Sequence, residues 1–142
     1  MKILVAWDDP KEAEVLGLYL STGENNATVT KTADDFLKLS HQEKWDAVLM
    51  ALTFPTNPEE SFALFEKTRQ EFFEIPVIVA YRPTELVHLL RFLNHGLRFQ
   101  LARDNQADFV FMVLSTLESA QATMRALKAN TKFERLQAYL KE

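Results

Sequence analysis

Strand-like and helix-like runs alternate five times along this chain, and that alternation constrains its fold more than any other feature. Lys2–Ala6 is apolar after its lysine, as expected of a strand covered on both faces. Pro10 suits the first turn of a helix, and Ala13, Leu16 and Leu20 continue at helical spacing up to Gly23. Residues 27–32 alternate and are β-branched, which reads as a strand on the edge side of the sheet. Residues 34–41 read as a short helix with Phe36, Leu37 and Leu39, and residues 46–52 as the third strand. Residues 58–73 are helical, with Phe62, Leu64 and Phe65 inward and Glu59 and Glu60 in the first turn, where the helix dipole favours acids. A strand at 75–80, a helix at 83–94 and a strand at 98–102 follow, with Gly96 as a helix C-cap. The last helical pattern starts near Asn105, with Asp108 completing a capping-box-like start, and runs to Glu142 without Gly or Pro. Five successive βα units predict an α/β fold around a parallel sheet. The expected architecture is flavodoxin-like, with strand order 2-1-3-4-5, an extended C-terminal helix, and its functional edge at the C-terminal ends of the strands.

With 142 residues, 47% of them hydrophobic and 25% charged, the chain has enough apolar material for one core. A net charge of −4, with acids and bases interspersed, argues against a nucleic-acid-binding surface. The absence of Cys removes disulfides and thiolate metal sites and fits a reducing cytoplasm, the expected location. The N-terminus enters a strand-like run with no signal-peptide pattern, and no run nears the ~18 apolar residues of a membrane span. Gly17, Gly23 and Gly96 form neither a phosphate loop nor a dinucleotide fingerprint. There is no Cys nucleophile and no Ser-His-Asp signature, and His41, His88 and His95 share no metal-binding spacing. These absences predict a domain that is not an enzyme, with no cofactor and no metal.

Four segments carry a family resemblance: KILVAWDDP (2–10), WDAVLMALTFP (45–55), IPVIVAY (75–81) and GLRFQLAR (96–103). In that order and spacing they make residues 1–120 resemble the response-regulator receiver (CheY-like) domains of two-component signalling. The resemblance implies a phosphoacceptor aspartate at the end of the third strand, and that position is Ala51. A carboxylate is the nucleophile of an aspartyl-phosphate reaction, and a methyl group cannot replace it. The family's Mg²⁺-holding acidic pair falls on Trp7 and Asp8, with Asp9 following; Asp8 alone makes a poor Mg²⁺ site. The family's small hydroxyl residue falls on Tyr81, and its lysine on Arg103, followed by Asp104. Arginine keeps the charge but not the geometry. The resemblance therefore points to a degenerate pseudo-receiver that is not phosphorylated. Asp8 and Asp9 also fit helix-capping or solvated acids, and Arg103 fits a structural salt bridge to Asp8. Trp7 and Tyr81 either fill the old pocket or, with Arg103, hold a small ligand, as in ligand-sensing pseudo-receivers. Nothing marks Thr53 or Ser61 as a modification site.

Two further features point to partners. In the fourth helix Leu86, Leu90 and Leu93 make one stripe, which the family register sets against the sheet, leaving Leu89 and Phe92 on another face. In the last helix Val110, Leu114 and Leu117 suit the core, leaving Phe111, Met112 and Val113 outward. A helix apolar all round is buried all round, so a homodimer through the fourth and fifth helices is expected, on the surface that the resemblance marks as the usual partner face. The other feature is length. Val113, Leu117, Ala120, Met124 and Leu127 follow coiled-coil-like spacing. Phe133, Leu136 and Leu140 continue in a shifted phase, which predicts a break or stutter near Asn130 and Thr131. Residues 121–142 thus read as a helical extension, a connector to an output domain. The expected function is a signalling or scaffold module at the N-terminus of a larger regulator, acting through a protein partner or a fused output domain.

Overall fold

The computed structural model describes residues 1–103 and 109–141, apart from the side chains of Phe133 and Lys141. The apolar runs pair into one parallel sheet in the order β2-β1-β3-β4-β5, the flavodoxin-like arrangement expected from the alternation. Its strands are β1 (Lys2–Ala6), β2 (Asn26–Thr30), β3 (Ala47–Ala51), β4 (Val77–Tyr81) and β5 (Phe99–Ala102). The interior strands are almost wholly buried, whereas β2 at the edge is half-exposed over most of its length. That contrast is the reason β2 alternates in sequence while β1, β3 and β4 are continuously apolar.

The helices are α1 (Pro10–Leu20), α2 (Ala33–Gln42), α3 (Pro58–Glu71), α4 (Leu86–Asn94) and α5 (Phe109–Lys141). Asp9, Thr32 and Asn57 cap the first three by accepting backbone N–H groups that would otherwise lack partners. Gly96 ends α4 in the left-handed region at φ 94°, where other residues are strained. Its N–H donates to Leu93 O at 3.2 Å and that of Leu97 to Phe92 O at 3.0 Å, the paired bonds of a Schellman motif.

The rotation of α4 is the reverse of the expected one. Leu89 and Phe92 are in the core, at 5% and 1% exposure, while Leu86, Val87, Leu90 and Leu93 face outward. Aromatic packing accounts for the reversal. Phe92 lies 5.3 Å from Phe62, edge to face, and 5.2 Å from Phe65, so turning it outward would dismantle that cluster. A 3-10 turn over Pro83–Glu85 leads into α4 and sets its phase. Glu85, on the same face as Leu89 and Phe92, is buried but accepts the Arg82 N–H at 2.6 Å.

In α5, Val113 is likewise a core residue rather than an outward one, in line with Leu117 and Ala120, whereas Phe111 and Met112 are exposed. Val110 and Leu114 are only half-buried. The first part of the coiled-coil-like seam is therefore consumed by the domain's own core. Met124 is half-buried and Leu127 exposed, where the helix leaves the body. The helix spans 33 residues without interruption, roughly 50 Å. No break occurs near Asn130 and Thr131; the Thr131 hydroxyl simply donates to Leu127 O at 2.9 Å. The expected helix start at Asn105, its Asp108 cap, Asp104, Glu142 and the Phe133 side chain lie outside the described residues. No described helix is long and apolar enough to cross a membrane.

Candidate functional site

Parallel pairing brings the C-terminal ends of β1, β3, β4 and β5 to one edge of the sheet, because each strand points the same way. Trp7 and Asp8 follow β1, Ala51 ends β3, Tyr81 ends β4 and Arg103 follows β5, so the expected pocket positions do converge. Ala51 is fully buried, and its carbonyl accepts the Ser61 hydroxyl at 3.1 Å. Ser61 is itself wholly buried, out of reach of a modifying enzyme.

Arg103 dominates the edge. Its side chain is 3% exposed and its Nη2 lies 2.9 Å from Asp8 Oδ1 and 2.6 Å from Glu12 Oε2. Nη1 donates to Asp8 Oδ2 at 3.2 Å. The guanidinium carbon sits 4.5 Å over the Trp7 ring, a cation–π contact made in a site largely stripped of water. The Arg103 backbone N–H donates to Tyr81 O at 2.6 Å, continuing the β4–β5 ladder to the pocket. Trp7, at 1% exposure, is thus a floor beneath the guanidinium.

Burial alone would push the Asp8 carboxyl up, but hydrogen bonds from Arg103 and Thr53 and the charges of Arg103 and Arg82 outweigh it. The net result holds Asp8 below its ordinary value and ionised. For Arg103, desolvation works against the charge, but Asp8 and Glu12 more than compensate, so the guanidinium stays protonated. Asp9 does different work. It is the N-cap of α1, accepting from Lys11 N at 2.9 Å and Glu12 N at 3.2 Å. The backbone bond from Glu12 is the main cause that lowers its pKa.

Two contributors were missed in the sequence. Glu12 gives Arg103 its shortest ion pair, and Arg82 adds a second cation 3.9 Å from Asp8. Glu12 had one legible signal: it stands in the first turn of the helix that follows β1, close to the strand edge. Arg82 had none beyond adjacency to Tyr81.

The residues present do not fit the Mg²⁺ ion that the fold family implies. Magnesium needs near-octahedral oxygen ligands. Both Asp8 oxygens already face the Arg103 guanidinium, Thr53 donates to Oδ2, and Ala51 offers no side-chain oxygen. Among the described residues no group of three or more His, Cys, Asp and Glu is placed to hold a metal ion. An open cleft beside the pair is bounded by Asp8, Asp9, Lys11, Thr53, Thr56 and Arg82, and excludes Trp7, Tyr81 and Arg103 from its walls.

No family model matches the chain, and no curated protein matches it. Solved structures do. NtrX from Brucella abortus superposes with a TM-score of 0.78 at 17% identity, covering 93% of this chain and 29% of that one. Full-length FixJ from B. japonicum gives 0.77 at 16%, covering 96% and 66%. A response-regulator receiver domain from Clostridium thermocellum gives 0.73 at 14%, covering 89% and 98%. At such identities the likeness establishes the fold, that of receiver domains. This chain spans less than a third of the NtrX chain.

Proposed function

We propose that this is a non-phosphorylatable pseudo-receiver: a cytoplasmic signalling or scaffold domain, without catalytic activity, that acts through protein contacts. The observation that carries the reading is Arg103, held by Asp8 and Glu12 at 2.9 and 2.6 Å above Trp7. A fixed internal cation occupies the acidic residue that would otherwise serve a metal, and Ala51 supplies no nucleophile. The pocket is chemically closed. The rival reading, a small ligand among Trp7, Tyr81 and Arg103, has less support, because Trp7 and Arg103 are 1% and 7% exposed.

The test is phosphoryl uptake. Neither the wild-type chain nor Ala51→Asp should gain acid-stable, base-labile phosphate from acetyl phosphate with Mg²⁺. The added carboxylate would meet Asp8 as a like charge, with Arg103 still in place. Stoichiometric labelling of the wild type overturns the reading; labelling of Ala51→Asp alone shows that the pocket lacks only its nucleophile.

The same reading supplies an output. Residues 1–120 form the receiver-like body and 121–142 a connector whose direction the Lys128–Glu74 ion pair, at 3.1 Å, helps to hold. The outward face of α4, with Leu86, Val87, Leu90 and Leu93, and the exposed Phe111 and Met112 of α5 are the contact surfaces for a second copy. Large exposed apolar patches mark association sites, and a two-fold pairing places the same patch on both subunits. Val87→Glu with Leu90→Glu should give a folded monomer by sedimentation equilibrium, since both residues are exposed. A wild-type chain that is monomeric at high micromolar concentration defeats the homodimer.

A further inference from the structure

The opposite edge of the sheet carries a second feature, independent of the pocket. Beneath the N-terminal ends of β4 and β5, between the end of α3 and the exit of α5, lies a cavity of about 190 Å³. Phe65, Phe72, Phe73, Phe99 and Met124 supply its apolar surface. It adjoins a second depression of about 330 Å³ along α5, the two sharing Phe73, Arg98 and Met124. The first compartment is partly open to solvent and Arg69 and Arg98 share its wall, and its volume admits one Phe or Leu side chain against the aromatic residues.

The rim is basic in a chain of net charge −4. Arg69, Arg98, Lys128, Lys132 and Arg135 line the two compartments, against a single acid, Glu74. Two of these cations are occupied. Arg69 donates to His95 O and lies 5.7 Å over the Phe65 ring, and Lys128 pairs with Glu74. Among the described residues Arg98, Lys132 and Arg135 have no ion pair, and all are exposed. Lys128, Lys132 and Arg135 follow i, i+4, i+7 spacing, so they share about 60° of helix arc and extend roughly 10 Å along α5. Glu134 falls about 100–160° away from them. A row of that length suits several acidic groups in series better than one small anion.

We infer that this groove docks an acidic peptide segment of a partner protein, with one apolar anchor side chain in the cavity and its carboxylates along Arg98, Lys132 and Arg135. The charge complementarity selects the partner's sign, and the cavity selects one anchor. The site lies against α5, so an occupant touches the connector directly. This inference stands whether or not the pocket on the other edge is closed.

Fluorescence anisotropy with a fluorescein-labelled nonapeptide of Asp and Glu around one central Phe tests it on the full chain. Saturable binding is expected, weakened about tenfold or more by Lys132→Glu with Arg135→Glu and by raising salt, which screens exposed charges. Replacing the central Phe of the peptide by Ser should weaken it by a similar factor, because the anchor is lost. The double variant alters only exposed positions, and circular dichroism verifies its fold. No saturable binding, or binding indifferent to the central Phe, overturns the inference. So does binding confined to anionic phospholipid vesicles, or a self-association abolished by the double variant, which would assign the groove to a membrane or to a second copy.

Discussion

At the C-terminal edge of the sheet Arg103 is almost fully buried and held by Asp8 and Glu12, with Arg82 close by. At the N-terminal edge Arg98, Lys132 and Arg135 are exposed and, among the described residues, have no ion pair. The difference follows from water. A charge taken out of solvent must be paired and hydrogen-bonded or it destabilises the fold. A cation left in solvent is under no such demand and remains available to a partner. A receiver fold ordinarily places its chemistry at the first of these edges. In this chain the protein's own side chains fill the centre of that edge, while Arg98, Lys132 and Arg135 remain solvated at the other.

The largest expected effect breaks the paired edge. Arg103→Ala leaves Asp8 and Glu12 without their principal partner. Loss of one member of a buried pair costs about 3–5 kcal/mol, and solvent at Glu12, 34% exposed, reduces this to about 2–4 kcal/mol. Urea denaturation measures it. The pH dependence sharpens the point. Asp8 is held below its ordinary value of 3.8, so its contribution is present above that pH and is lost as pH falls through its lowered folded value. The wild type should lose stability steeply from about pH 4 downward, and Arg103→Ala should lose less over the same window. A variant with the wild-type acid slope would show that Arg103 is not what holds Asp8 ionised.

The smallest effect belongs to the other edge. A double-mutant cycle on Glu74 and Lys128, whose side chains are 56% and 53% exposed, should give a coupling of roughly 0.2–1 kcal/mol. A coupling near that of the Arg103 pair would erase the contrast between the two edges, and would make the exit of α5 a rigid part of the fold.

The backbone pattern was legible because it is local. Val48, Leu49 and Met50 are apolar in succession since both faces of β3 are covered, and Asp9, Pro10, Asn57 and Pro58 punctuate helix starts wherever the strands lie. Ala51 needed no structure either, for a missing carboxylate is missing in any fold. The rotation of α4 was another matter. The apolar stripe of that helix is broad, running from Phe92 through Leu89, Leu93, Leu86 and Leu90 to Val87, so periodicity does not say which part of it faces inward, and the expected phase rested on the family register. The cluster of Phe92 with Phe62 and Phe65 decided it instead, through contacts about 30 residues apart in sequence. Val113 shows the same limit, since heptad spacing serves an internal seam and an intermolecular one equally well.

The sequence by itself determined the order of strands and helices, the caps between them, and the absence of a nucleophile at the end of β3. These are properties of residue type and short spacing, and no packing choice alters them. The resemblance already led to a salt bridge between Arg103 and Asp8, but only the tertiary structure decided that Arg103 also reaches Glu12, 91 positions away. It also decided which side of α4 is core, and that Phe65, Phe72, Phe99 and Met124 line one cavity beside a basic helix. Such pairings depend on which strands lie side by side and how each helix turns on the sheet, and both are settled by burying the whole set of apolar side chains at once.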